Sequence, residues 1–217
     1  MYHVDAHTHR TPSAGTLAVV NLHREAVSLP AEQYLSVGIH PWFVQPDTLE
    51  DELARLTRFL DQPSVVAVGE CGLDRLSKVP MDLQRTAFTR QLTLARRYGK
   101  PVIVHNVRSG SDLLQLRKGL SDPTPWMIHG FHGSLREAEL FVQQGCYLGF
   151  GRKVLDGSSR AAMACAAVPM ERILPETDDT GLSVADIIEA IAVAKKQNPA
   201  GVMSALYANF VRFFQIG

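Results

Sequence analysis

The chain has 217 residues, 46% hydrophobic and 20% charged, which is enough apolar material for one sizeable core and a single domain over 1–217. Lys+Arg and Asp+Glu balance at 22 each, excluding the bulk basic field that holds a protein on nucleic acid without other help; any phosphate affinity must be local. The N-terminus lacks a basic-apolar-small signal pattern, no apolar run reaches membrane-spanning length, and the cysteines Cys71, Cys146 and Cys165 are odd in number and far apart, so a cytoplasmic protein with reduced thiols and no membrane partner is expected.

In chain order, Val4-Asp5-Ala6-His7-Thr8-His9 alternates as a strand, with Asp5, His7 and His9 on one face and Val4, Ala6 and Thr8 on the other. Leu17–Asn21 is a second strand, about seven residues after His9, too few for a crossover helix. Tyr34–Pro41 is a third, and the segment around Leu29-Pro30-Ala31-Glu32 leaves room for one helical turn at most, so the first and second βα units are abbreviated. Asp47–Leu60 carries Leu49, Leu53, Leu56 and Leu60 at helical spacing, with Asp47 as N-cap. Strands then alternate with helices: strand Ser64–Glu70, helix Met81–Tyr98 closed by Gly99, strand Pro101–His105, helix Asp112–Leu120, strand Pro125–Gly130. Helix Leu135–Gln144, strand Cys146–Gly151, helix Ser158–Ala167 and an eighth strand Arg172–Asp178 follow, then terminal helices Val184–Lys196 and Pro199–Phe214.

Apolar strands alternating with helices predict an α/β fold with parallel strands buried on both faces. Eight strands favour a (β/α)8 TIM barrel over a doubly wound open sheet. Pro175 inside the eighth strand removes one ladder hydrogen bond.

The ionisable residues fall at strand ends. Glu70, His105, His129 and Asp178 each follow an apolar run, at the C-terminal edge where barrels carry chemistry. By parity, Val66 and Val68 share the face of Glu70, Ile103 that of His105 and Met127 that of His129. Any one of these alone is ordinarily a hydrogen-bonded loop residue or half of an ion pair. Six on one edge, with His7 and His9, crowd carboxylates and desolvated imidazoles in a way that requires a cation or protons. Imidazole nitrogen and carboxylate oxygen suit divalent Zn, Mn, Mg or Fe, and four histidines with two carboxylates exceed what one tetrahedral ion takes, so two ions are expected, with a carboxylate able to bridge them.

Asp5-Ala6-His7-Thr8-His9, Gly38-Ile39-His40-Pro41, Gly69-Glu70-Cys71-Gly72-Leu73-Asp74, Pro101-Val102-Ile103-Val104-His105, His129-Gly130-Phe131-His132-Gly133-Ser134 and Glu176-Thr177-Asp178 together resemble the TatD-type metal-dependent hydrolases of the amidohydrolase-like barrel superfamily. The motifs run nearly end to end and in family order. The resemblance implies a phosphodiester hydrolase, typically a DNase, acting on DNA or a small phosphodiester. It implies that His7, His9 and Asp178 bind one metal, that His105 and His129 bind the second, and that Glu70 bridges. Two departures concern substrate: Gly130 and His132 stand where the family usually has Cys and Ser, and Arg108 lies one place further from His105 than is common.

For catalysis, Asp178 is expected to orient the attacking water and accept its proton, with Glu70 holding the metals, while His40, Arg108 or His132 stabilises charge on the phosphoryl oxygens. Arg108 has the alternative of pairing with Asp112, and His40 of being fixed by Pro41. Asp5 and Glu176, below the ligands, are expected to orient the imidazoles. Asp74 and Asp179 read as structural, Gly149 and Gly151 as bending the seventh strand's end, and Trp126, Phe213 and Phe214 as core. The same donors would polarise a carbonyl, so hydrolysis of a carbon-based ester, amide or lactone is the alternative activity, and a metal-stabilised scaffold that has lost catalysis is the alternative class; cationic groups at the mouth would favour phosphate, an apolar pocket the carbonyl.

Overall fold

Eight parallel strands hydrogen-bond in chain order in the computed structural model, which describes residues 2–22, 34–120 and 123–216. They are β1 (His3–Thr8), β2 (Thr16–Asn21), β3 (Tyr34–Val37), β4 (Val65–Asp74), β5 (Val102–Val107), β6 (Trp126–Ile128), β7 (Tyr147–Phe150) and β8 (Ile173–Pro175). The sheet closes into a TIM barrel where its last strand meets its first. Thr8 and Asp178 form an isolated parallel bridge, the Asp178 N–H donating to the His7 carbonyl at 2.9 Å and the His9 N–H to the Asp178 carbonyl at 3.0 Å.

Helices α1 (Leu49–Leu60), α2 (Met81–Arg97), α3 (Gly110–Gly119), α4 (Leu135–Gln143) and α5 (Arg160–Ala167) connect successive strands from β3 onward, and α6 (Val184–Lys195) and α7 (Pro199–Phe214) complete the chain. No helix lies between β1 and β2, as their spacing predicts. The abbreviated second unit, and with it Leu29–Glu32, falls on 23–33, outside the described residues. Leu49, Leu53, Leu56 and Leu60 are all buried, as their spacing requires. Helix α2 ends in a Schellman motif with Gly99 at φ 63°, the Lys100 N–H donating to the Ala95 carbonyl. Trp126 is core, edge-on to Phe88 at 5.4 Å, and Phe213 meets Tyr147 at 5.0 Å as α7 packs on β1 and β8. No helix among the described residues is long and apolar enough to cross a membrane.

Four local expectations are corrected. The N-cap position of α1 is Thr48 rather than Asp47, its hydroxyl bonding the Glu52 carboxylate at 3.2 Å. Strand β3 stops at Val37, leaving His40 and Pro41 in the loop beyond. Strand β8 stops at Pro175, and the Glu176 N–H, donating to the Phe150 carbonyl at 3.1 Å, makes the next contact to β7. Strand β4 runs four residues past Glu70 to Asp74, with a register shift against β5 between Val68 and Cys71. That irregularity interrupts the alternation, so the parity of Val66 and Val68 does not carry through to Glu70; Glu70 instead alternates with Gly72 and Asp74.

Candidate metal centre

Glu70 lies at the middle of the site, 6% exposed, with imidazoles around both carboxylate oxygens. Its Oε1 is 2.5 Å from His105 Nδ1, 2.7 Å from His129 Nε2 and 3.3 Å from His40 Nε2. Its Oε2 is 3.5 Å from the Nε2 atoms of both His7 and His9. Asp178 Oδ1 faces the same two nitrogens at 3.7 and 3.6 Å. All six residues expected from the strand ends thus converge, although His9, His129 and Asp178 stand just past their strands rather than within them. Among the described residues, donor atoms cluster in three groups: His7, His9 and Asp178; His7, Glu70 and His129; and His40, Glu70 and His105. His40, expected only to touch substrate, therefore belongs to the cluster itself.

The electrostatics show how the cluster attracts protons or a cation. Burial alone would raise the Glu70 pKa, but the charge of His129 and hydrogen bonds from His105, His129 and His40 hold it well below the ordinary carboxylate range. Burial opposes protonation of His129, yet Glu70 and then Glu176 draw a proton onto it and its pKa is well raised. His9 is raised by its bond to Glu70 against a smaller burial effect, whereas burial lowers His40. Both ring nitrogens of His7 are buried without a hydrogen-bond partner, an expensive arrangement for an imidazole that binds nothing. Its Nε2, facing two carboxylates beyond hydrogen-bonding range, is poised as a metal donor. The residues fit a divalent ion: the positions that attract protons here are those a cation would take.

The supporting residues behave differently from one another. Glu176 is fully buried, accepts the Gly130 N–H at 2.5 Å and lies 3.7 Å from His129 Nδ1, beyond hydrogen-bonding range. Gly149 is what makes room for it: a Cβ there would come within 2.3 Å of Glu176 Oε2 and 3.1 Å of the His129 backbone. Gly149 and Gly151 thus leave space for Glu176. Gly149→Ala is expected to cost about 1–3 kcal/mol by overpacking, read as a lower urea midpoint at unchanged slope.

Asp5 is a correction. It does not reach the rings; its carboxylate accepts the His7 backbone N–H at 3.3 Å, the Thr177 N–H at 3.0 Å and the Thr177 hydroxyl at 2.6 Å, tying β1 to the segment that carries Asp178. Burial pushes its pKa up to about 7, against the hydrogen bonds from Thr177. A carboxyl raised on folding binds protons that the unfolded chain has released, so its contribution to stability declines from about pH 4 to about pH 7 and is flat above. Asp5→Asn should remove that slope, a few kcal/mol at most; denaturant midpoints of chelator-treated protein at pH 5 and pH 8 check it.

Arg108 is exposed and lies outside both clefts described below, and Asp112 is engaged instead by Arg75, at 2.6 Å, and by Arg85. His132 is exposed, with Nδ1 at 2.7 Å from the Gly130 carbonyl. Asp74, expected to be structural, contacts the site directly: its Oδ2 is 3.3 Å from His105 Nε2 and accepts the Trp42 indole N–H at 2.5 Å. Partial burial would raise its pKa, but the hydrogen bonds from Trp42, the Leu76 N–H and His105 together lower it.

Comparison with known proteins agrees with this architecture. The family profile described as TatD related DNase matches residues 4–215. The chain belongs to the TatD family. It is 36% identical over 149 residues to the uncharacterized metal-dependent hydrolase YjjV of Escherichia coli, covering 67% of this chain and 57% of that one. It is 35% identical over 152 residues to the 3'-5' ssDNA/RNA exonuclease TatD of a Rahnella species, covering 66% of this chain and 56% of the relative. The sequence matches therefore span little more than half the length of these relatives. The crystal structure of the TatD homologue YjjV superposes with a TM-score of 0.85 at 26% identity, covering 99% of this chain and 98% of the other.

Around this TatD-family centre the barrel mouth has two lobes that share His105, His129, Asp178 and Asp179. One, about 240 Å³, is rimmed by His132, Arg152 and Lys153, the last two on a 3₁₀ turn, Arg152–Leu155, after β7. The other, about 490 Å³, is walled by Leu22, Ile39, Trp42 and Phe43. Sequence reasoning names His132 on the first rim but not Arg152, Lys153 or the apolar wall, for which the available signal is a pair of aromatics directly after His40-Pro41.

Proposed function

We propose that this TatD-family barrel, a single domain over 1–217, is a metal-dependent hydrolase of phosphodiester bonds in DNA or a small phosphodiester. The carrying observation is the convergence of Glu70, Asp178 and five imidazoles beside a rim bearing Arg152, Lys153 and His132. Nitrogen and oxygen donors without sulfur suit Zn²⁺, Mn²⁺ or Fe²⁺. His7, His9 and Asp178 would hold one ion and His105, His129 and His40 a second, with Glu70 shared between them. A divalent ion there supplies Lewis acidity, bringing a water's pKa toward neutrality and polarising a phosphoryl oxygen.

The chain's own residues account for the remaining steps. Asp178, 39% exposed beside buried His7, reaches the open mouth, where it orients the attacking water and accepts its proton at Oδ1 or Oδ2. The Arg152–Lys153 rim would offset charge on the phosphoryl oxygens, with His132 beside it as a hydrogen-bonding group. Glu176 anchors the backbone beside His129 through the Gly130 N–H, and Asp74, facing His105 Nε2, leaves Nδ1 turned toward Glu70.

The test is turnover of single-stranded DNA, duplex DNA and a generic phosphodiester by protein loaded with Mg²⁺, Mn²⁺ or Zn²⁺. Cleavage is expected; no turnover together with hydrolysis of an ester, amide or lactone panel would overturn the reading. Replacing Arg152 and Lys153 together with alanine should weaken DNA binding and flatten its salt dependence, the logarithmic slope falling by about one for each phosphate that is no longer neutralised. An unchanged salt slope would remove these residues from the substrate path.

A further inference from the structure

The aromatic lobe is unexplained by phosphate chemistry. Trp42 is 56% exposed and Phe43 43% exposed, whereas Trp126 is fully buried. Isolated exposed apolar residues are common, but these two adjoin each other and line one cleft that opens onto Glu70 and His105. The indole is also held in place: its N–H is committed to Asp74 at 2.5 Å, and its ring meets His40 nearly edge-on, centroids 4.9 Å apart at 82°. The ring centroid lies 6.1 Å from that of His105. A fixed, exposed π-face is thus presented beside the hydrolytic centre.

We propose that Trp42, assisted by Phe43, is a stacking platform for the nucleobase next to the scissile phosphate. The proposal rests on the phosphodiesterase reading for its substrate. Stacking on a flat aromatic face is open to every base, because all bases have a π-face. Trp42 has no free donor with which to read a base edge, since its N–H is engaged by Asp74. The platform therefore accepts any base, and a base resting on it has left a duplex stack. The cationic lobe across the shared centre would receive the neighbouring backbone.

Trp42 and Trp126 are the two tryptophans, so quenching of intrinsic fluorescence by a ligand at the mouth reports on Trp42. Zn²⁺-loaded full-length protein would be titrated with a phosphorothioate-linked single-stranded tetranucleotide and with the same strand lacking its terminal base. The intact strand is expected to quench, with A and T ends alike, and the abasic strand to bind on the order of tenfold more weakly with little quenching. By anisotropy of a dye-labelled strand, which does not depend on the replaced indole, Trp42→Ala should abolish this preference, and Trp42→Phe, which keeps a π-face but loses the bond to Asp74, should retain it; loss in both variants would assign Trp42 to positioning His105 instead. Equal affinity for intact and abasic strands overturns the platform. Turnover of unmodified DNA on the same preparation separates the two claims: base-dependent quenching without cleavage leaves the platform and removes the phosphodiesterase reading, cleavage without base dependence does the reverse, and neither binding nor cleavage removes both.

Discussion

Asp178→Asn is expected to lower turnover of a phosphodiester by roughly 10²–10⁴-fold, the range that positioned acid–base groups supply, while the protein stays folded. The backbone explains why this substitution is informative. Asp178 has φ 56°, a conformation that Asn tolerates better than most residues, and its N–H and C=O clasp the carbonyl of His7 and the N–H of His9. Asparagine preserves that clasp and the side-chain volume but cannot accept the proton of the attacking water. Alanine would add backbone strain at the barrel's closure to the loss of the carboxylate and so confuse two effects. Thermal unfolding of chelator-treated protein should be nearly unchanged in the Asn variant. Turnover within a fewfold of wild type would take Asp178 out of proton transfer.

The same clasp shows what could be read from the residues alone. The long periodic helices were legible because burial follows the 3.6-residue repeat, as the four leucines of α1 and the whole extent of α7 demonstrate. The ligands were legible because each follows a short apolar run, which places it at a strand end whatever the exact register. The apolar run that marks β4 breaks after Glu70, so the expected strand stops four residues short of Asp74. In the structure Gly72 continues the strand, at φ 152°, because a Cβ there would fall 2.2 Å from the His105 carbonyl; the close approach of β4 to β5 requires glycine.

Other contacts depend on where distant segments meet, which no local pattern encodes. The spacing of Arg108 and Asp112 suggested a local pair, yet Asp112 faces Arg75 beyond β4 and Arg85 on α2. Asp5 shares a strand face with the histidines, but facing inward does not decide between a ring and a backbone N–H, and the backbone of His7 and Thr177 claims it. Arg152 and Lys153 stand on a turn without periodicity, so nothing marked them as part of the mouth. Trp42 needed Asp74, 32 residues away, to hold it open rather than buried.

Glu70→Gln tests the shared carboxylate more severely than any other single change. Both of its oxygens face imidazoles, Oε1 toward His105, His129 and His40 and Oε2 toward His7 and His9, so its carboxylate spans the two halves of the cluster. The glutamine retains the volume and keeps the backbone bond from the Glu70 N–H to Asn21, 2.8 Å long. What it loses is the charge that draws protons, or a cation, toward His129 and His9. Metal content by elemental analysis should fall by at least one ion per chain, with affinity reduced beyond the roughly 10–100-fold cost of losing an outer partner, and turnover should fall with it. The pKa of His129 should also fall, because burial would then act with less opposition; NMR titration of the metal-free variant reads this without reference to activity. Full occupancy in the variant would exclude sharing of Glu70. Asp178→Asn should differ here: it withdraws a carboxylate from the His7–His9 ion alone while Glu70 and all five imidazoles remain, so its metal affinity should fall less than that of Glu70→Gln, and turnover that stays low when excess metal restores full occupancy distinguishes the group that moves the proton from the one that binds the site together.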